Sequence, residues 1–121
     1  MTVLADSSVW IGHWRNSDPA FAAQVEAGEV SVHPFVIGEL ALGSIGRNDE
    51  ALRDLRLLPV NTTADHVEVL ALVQRHRLWG TGIGWVDAHL IASALIDETD
   101  LWTLDQALAR AAASAGVHVV T

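Results

Sequence analysis

The order in which short apolar runs alternate with helical segments constrains this chain most. "TVLA" (2–5) reads as a strand and runs into the helical "SSVWIGHWR" (7–15). Asp18-Pro19 opens a helix, with Asp18 as N-cap and Pro19 at the first helical position, leading into "AFAAQVEAG". "EVSVHP" (29–34) alternates as a strand, and Pro34 opens "FVIGELALGS", a helix that Gly43 or Gly46 ends. Amphipathic helices follow over 48–58 and 63–78, then the glycine loop "GTGIG" (80–84) and a helix from Trp85. "DLWTL" (100–104) reads as a strand, "DQALARAAASAG" (105–116) as a helix and "VHVV" (117–120) as a last strand. Strands that alternate with helices predict an α/β fold, a three-layer α/β/α domain with a mostly parallel central sheet. Residues 1–121 suit one such domain. Ligands of such sheets gather beyond the carboxyl ends of the strands, at the point where strand order reverses. Asp6 follows the first strand and Asp105 follows "DLWTL", so both are expected on that edge.

Two further acids stand where apolar residues are expected. With "GWVDAHLIASAL" (84–95) as a helix, Ile91, Leu90 and Ala94 fall within about 60° of Asp87, so its carboxylate points along the apolar stripe. In "PFVIGELALGS", Glu39 has Phe35 and Val36 one turn before it and Leu42 and Gly43 one turn after. Each acid also has an ordinary reading. Asp87 and Asp105 suit helix caps or first-turn charges, Asp6 suits a turn, and Glu39 can reach solvent or a distant arginine. An unpaired carboxylate in a low-dielectric interior either neutralises or finds a cation. The chain has no lysine, and none of its seven arginines lies in sequence beside Asp6, Glu39 or Asp87. A divalent ion is the natural partner, and all-oxygen ligation suits Mg²⁺ or Mn²⁺ rather than zinc.

Charge and composition exclude other classes. A net charge of −8 argues against broad phosphate neutralisation of nucleic acid. The missing lysine removes phosphate-binding loops of the Walker type, receiver domains and haloacid-dehalogenase-like phosphatases. No apolar run reaches the roughly 18–20 residues of a membrane span. "MTVLADSSVW" is no signal peptide, and with no cysteine the expected location is cytoplasmic.

The segments "VLADSSVWIGHWR", "GELALGS", "GIGWVDAHLIASAL" and "LWTLDQALARAA" together resemble the PIN-domain ribonucleases, and among them the VapC toxins of toxin–antitoxin pairs. The resemblance covers essentially the whole chain, because four acidic motifs occur in order with their flanking residues. It implies a Mg²⁺-dependent endoribonuclease toxin with Asp6, Glu39, Asp87 and Asp105 as its acids, and 5′-phosphate and 3′-hydroxyl products. Asp6 and Asp87 are the expected metal ligands, Asp105 completes the shell or holds a second ion, and Glu39 ligates through water or acts as general base. Ser7 and Thr103 are expected behind them, fixing carboxylate rotamers. The resemblance further implies a homodimer and a small VapB-like antitoxin that sends an arginine into the acidic pocket.

RNA contacts are sought in "QRHRLWGTG", where Arg75 and Arg77 can meet phosphate and Trp79 can stack on a base. The competing expectation, which is favoured, packs Trp79 and leaves the arginines as a solvated helix end. Trp10 and Trp14 are expected in the core or at a dimer interface, and His89 on the helix surface. Two other functions stand beside the nuclease: a non-catalytic module that captures a basic peptide, and a phosphotransfer or phosphatase domain, which the missing lysine disfavours.

Overall fold

The computed structural model describes residues 2–43 and 45–120. Its strands are β1 (Val3–Ala5), β2 (Val30–Ser31), β3 (Asp100–Trp102) and β4 (Val119–Val120), and they form one parallel sheet in the order β2-β1-β3-β4. The helices are α1 (Ser7–Arg15), α2 (Pro19–Glu26), α3 (Pro34–Leu42), α4 (Asp49–Arg56), α5 (His66–Arg75), α6 (Trp85–Asp97) and α7 (Gln106–Ser114). From β1 the chain crosses to β2 on one side, whereas β3 and β4 extend the sheet on the other. Right-handed crossovers in opposite directions place helices on both faces, which gives the α/β/α layering. The strand order reverses between β1 and β3, and Asp6 stands at the carboxyl end of β1, against β3.

Helix starts follow local chemistry. Asp18 caps α2 by accepting from the Ala20 and Phe21 amides, and Pro19 occupies the first turn, where no amide is needed. The strand expected over 29–34 shortens to Val30–Ser31, and His33 becomes the N-cap of α3 through its Nδ1, which accepts from Phe35 N at 3.0 Å. Pro34 accounts for this, since it holds His33 extended and itself fits the first turn of a helix. The chain also touches the sheet where no strand was expected, in a parallel bridge between Val32 and Val60. The expected strand over 100–104 ends at Trp102, and the helix expected over 63–78 spans His66–Arg75.

Leu4, Val30, Val32 and Leu101 fill the sheet layer, with Ile91 of α6 and Leu108 of α7 packed into the same core. Phe21 is fully buried and meets Trp10 and Trp102 edge to face, with centroids at 4.8 and 5.4 Å. Such pairs add about 0.5–1.5 kcal/mol each beyond their buried area. This cluster locks α1 and α2 onto β3 and so holds the strand ends that carry Asp6 and Thr103. Trp10 is core, as expected, whereas Trp14 is 39 % exposed.

Candidate metal centre at the sheet switch point

Asp6 is the best-held acid. It is 5 % exposed, and its amide continues the β ladder by donating to Trp102 O at 3.1 Å. Its Oδ1 caps α1, accepting from Ser8 N at 3.0 Å and Val9 N at 3.3 Å, and also accepts from the Ser8 hydroxyl at 2.5 Å. Its Oδ2 accepts from the Thr103 hydroxyl at 2.5 Å. Both hydroxyls are themselves anchored: Leu104 N donates to Ser8 Oγ and Asp105 N to Thr103 Oγ1, each at 3.0 Å. Two matching arms thus tie Asp6 to the turn that carries Asp105. Thr103 stands where sequence placed it. Ser8, which sequence reasoning passed over, orients Asp6, and Ser7 interacts with Glu39 instead. The signal was available, since the second residue after an N-cap aspartate reaches the cap oxygen.

The other acids stand around Asp6. Asp105 caps α7, its Oδ1 accepting from Ala107 N at 2.9 Å and Leu108 N at 3.2 Å. Asp87 lies in the first turn of α6 and closes back on Gly84 N through Oδ2 at 3.1 Å. Capping and site geometry therefore coincide. The amino ends of α1, α6 and α7 all carry an acid of this group, and helix dipoles favour negative charge there. Asp87 is half-buried, not core-directed; its neighbours Ala88, Leu90, Ile91 and Ala94 take the core. Glu39 belongs to the exposed side of α3, whose buried contacts are Val36 and Leu40, so the stripe read around it is narrower than expected.

Two of the acids, Asp87 and Glu39, are shifted by the charges of their neighbours. Asp87 is raised above the ordinary aspartate range, first by desolvation and then by the charges of Asp105 and Asp6, with the Gly84 amide opposing. Glu39 is raised likewise, by partial burial of its carboxyl end and by Asp87 and Asp6, against a Ser7 hydrogen bond. Among the described residues no arginine or histidine forms an ion pair with any of the four. The donor set is all oxygen, and Asp87 Oδ1 and Asp105 Oδ2 accept no protein hydrogen bond among the described residues. That chemistry fits a hard divalent ion. As they stand, no three acidic or imidazole side chains among the described residues are close enough to share one ion. Mg²⁺ keeps most of its waters and is commonly held by only one or two carboxylates, so a pair of these acids is a sufficient protein contribution.

The suggested RNA-contact residues are spread over the end of α5 and the turn after it. Arg75 lines a groove with Ala92, Leu95 and Ile96, more than a turn of α6 beyond Asp87. Arg77 and Trp79 are exposed on the turn that leads to the glycine loop, and Trp79, at 58 % exposure, is not packed as favoured. Arg77 has a left-handed backbone with φ of 52°. The loop does approach the site, because a Cβ on Gly82 would lie 3.5 Å from Ala107 in the first turn of α7. His89, expected on the surface, is 4 % exposed under Phe35 and Trp85, at centroid distances of 4.7 and 5.1 Å. Among the described residues no helix is long and apolar enough to cross a membrane.

Comparison with known proteins gives these features a lineage. Residues 3–114 match the PIN domain model. The chain is 47 % identical over 119 residues to proteins named Ribonuclease VapC32 from two strains of Mycobacterium tuberculosis, covering 95 % of this chain and 94 % of each relative. Its fold is similar to PAE2754 from Pyrobaculum aerophilum, with a TM-score of 0.63 at 19 % identity over 98 % of this chain and 83 % of that one. It is also similar to FitAcB from Neisseria gonorrhoeae, with a TM-score of 0.61 at 18 % identity over 99 % of this chain and 97 % of that one. An acidic switch point on a parallel sheet and this sequence likeness lead to one assignment: the chain belongs to the PIN-domain family and, within it, to the VapC ribonucleases.

Proposed function

We propose that this protein is a Mg²⁺-dependent endoribonuclease toxin whose active site is made by Asp6, Glu39, Asp87 and Asp105. The carrying observation is that the charges of Asp105 and Asp6 help raise Asp87, and those of Asp87 and Asp6 help raise Glu39, while none of the four acids has an ion-pair partner among the described residues. Asp6 and Asp87 would hold the ion and Asp105 would complete its shell; Mn²⁺ could replace Mg²⁺. An ion bound there would activate water as a nucleophile and offset negative charge on the phosphodiester. Glu39 serves as proton acceptor for the attacking water, a task that favours a carboxyl raised toward neutral pH. Ser8 and Thr103 keep Asp6 in one rotamer, so the ligand is positioned before the ion arrives. Arg77 and Trp79 meet RNA beside the glycine loop, by a phosphate contact and by base stacking, and Arg75 offers a further phosphate contact from its groove.

A cluster of negative charge is also a receptor for a basic segment. We assign it to a cognate antitoxin of the VapB type, with the toxin acting as a cytoplasmic homodimer. The test is cleavage of structured RNA by the purified protein. Cleavage should require Mg²⁺, stop with EDTA, and fall at least about a hundredfold in Asp6→Asn. Cleavage that survives both changes overturns the assignment.

A further inference from the structure

The described residues contain six buried side-chain polar atoms without a hydrogen-bond partner in the protein, and five of them flank one seam. Ser31 Oγ and His33 Nε2 belong to β2 and the residue that caps α3, Asn61 Oδ1 to the segment bridged to Val32, and His89 Nδ1 and Ser93 Oγ to α6. Two of these have local remedies: Ser93 can turn to the backbone carbonyl one turn earlier, and Ser31 is a free rotor, while Asn61 already donates through Nδ2 to the Thr99 hydroxyl 3.3 Å away. The two imidazoles have none. His33 is fully buried and His89 is 4 % exposed.

The cap fixes the chemistry of His33. Its Nδ1 accepts from Phe35 N, so in the neutral ring the proton sits on Nε2, which is the orphaned atom and a donor. Neutrality is enforced, since burial and the facing His89 lower His33 to about pKa 4, against a smaller upward pull from Asp97. The two ring centroids are 6.3 Å apart. Each nitrogen lies roughly 1.1 Å from its ring centre, so the nitrogens approach no closer than about 4 Å, too far for a direct hydrogen bond of about 3 Å. A separation at or a little above that lower bound suits one water, accepting from one ring and donating to the other.

We propose that His33 is a positioning residue: its Nε2–H, through one buried water, bonds to His89 Nδ1 and couples the start of α3 to α6. The two helices carry Glu39 and Asp87, so this link and the Phe35–His89 contact at 4.7 Å set how far apart those acids stand. The catalytic consequence rests on the endoribonuclease reading; the link itself does not.

Two experiments test it. In the protein without added metal, long-range nitrogen–proton NMR should report His33 as the Nε2–H tautomer, with a cross-peak from that proton to a long-lived water. His89→Phe keeps the ring contacts with Phe35 and Trp85 but deletes the acceptor, and should abolish the cross-peak. No water cross-peak in the parent protein, or one unchanged in His89→Phe, overturns the link. In the second, His33→Asn retains a cap for α3 but is too short to reach the water. It should lower kcat and Mn²⁺ affinity by about tenfold or more, since misplacing a reacting group by about 1 Å can cost on the order of a hundredfold, and leave KM for RNA within about twofold. An unchanged kcat and Mn²⁺ affinity overturns the positioning role. If the parent protein cleaves no RNA, the endoribonuclease reading fails, while the NMR result still decides the link.

Discussion

Thr103→Val is the sharpest probe of how Asp6 is held. Thr103 is 1 % exposed, donates to Asp6 Oδ2 at 2.5 Å and accepts from Asp105 N at 3.0 Å. Valine has nearly the same shape, so little packing changes, but the carboxylate loses a donor. A hydrogen bond to a charged group contributes about 1.5–3 kcal/mol, and Asp6 is too buried for water to replace the donor freely. Asp105 is exposed, so water can serve its amide and the second lost bond adds less than ~1 kcal/mol. The expected loss is about 2–3 kcal/mol. With a urea slope of about 1.5 kcal/mol per molar, the midpoint falls by roughly 1.3–2 M. Thr103→Ser restores the hydroxyl and should recover all but the ~1 kcal/mol of a lost buried methyl. A Thr103→Val midpoint within about 0.3 M of the parent, or a serine variant as damaged as the valine one, refutes the reasoning.

The raised carboxyls of Glu39 and Asp87 bind protons more tightly folded than unfolded, so their contribution to stability is full at low pH and is lost as pH rises through the folded values. Mg²⁺ should therefore raise the thermal midpoint more at pH 8 than at pH 5, and scanning calorimetry that finds an equal or reversed shift contradicts the shared-charge picture. Glu39→Gln removes one like charge and the proposed proton acceptor: kcat should drop about 10²–10⁴-fold while the metal-free midpoint holds or rises. A fall in both would mean that Glu39 is mainly structural. Glu98 ends α6 in a left-handed conformation, with φ of 56°. Glu98→Gly should stabilise by roughly 0.5–1 kcal/mol in urea titration, and destabilisation would show that its side chain has an unrecognised partner.

The alternation of strands and helices was enough to place Asp6 on the functional edge, because the carboxyl end of a parallel strand is fixed by topology alone. Asp18-Pro19 and Asp105 announced their helices for equally local reasons. The acids proved harder to interpret one at a time. Capping and metal binding had looked like rival explanations for Asp87 and Asp105, yet three acids cap or close helix starts and still face one another. His89 was misplaced because periodicity describes one helix, while its burial comes from Phe35 and Trp85 closing over it. Trp79 illustrates the converse: packing was the favoured expectation, but the turn at Arg77 leaves the ring exposed. The Val32–Val60 bridge escaped notice because one residue pair has no period to detect.

The central claim is that Asp6 and Asp87, on different elements, share one divalent ion. Its most direct test is the anomalous difference map of a crystal grown with Mn²⁺. The account predicts a peak with oxygens of both Asp6 and Asp87 at roughly 2.0–2.6 Å, lost in Asp6→Asn. A peak that touches neither acid, or persists unchanged in Asp6→Asn, contradicts it.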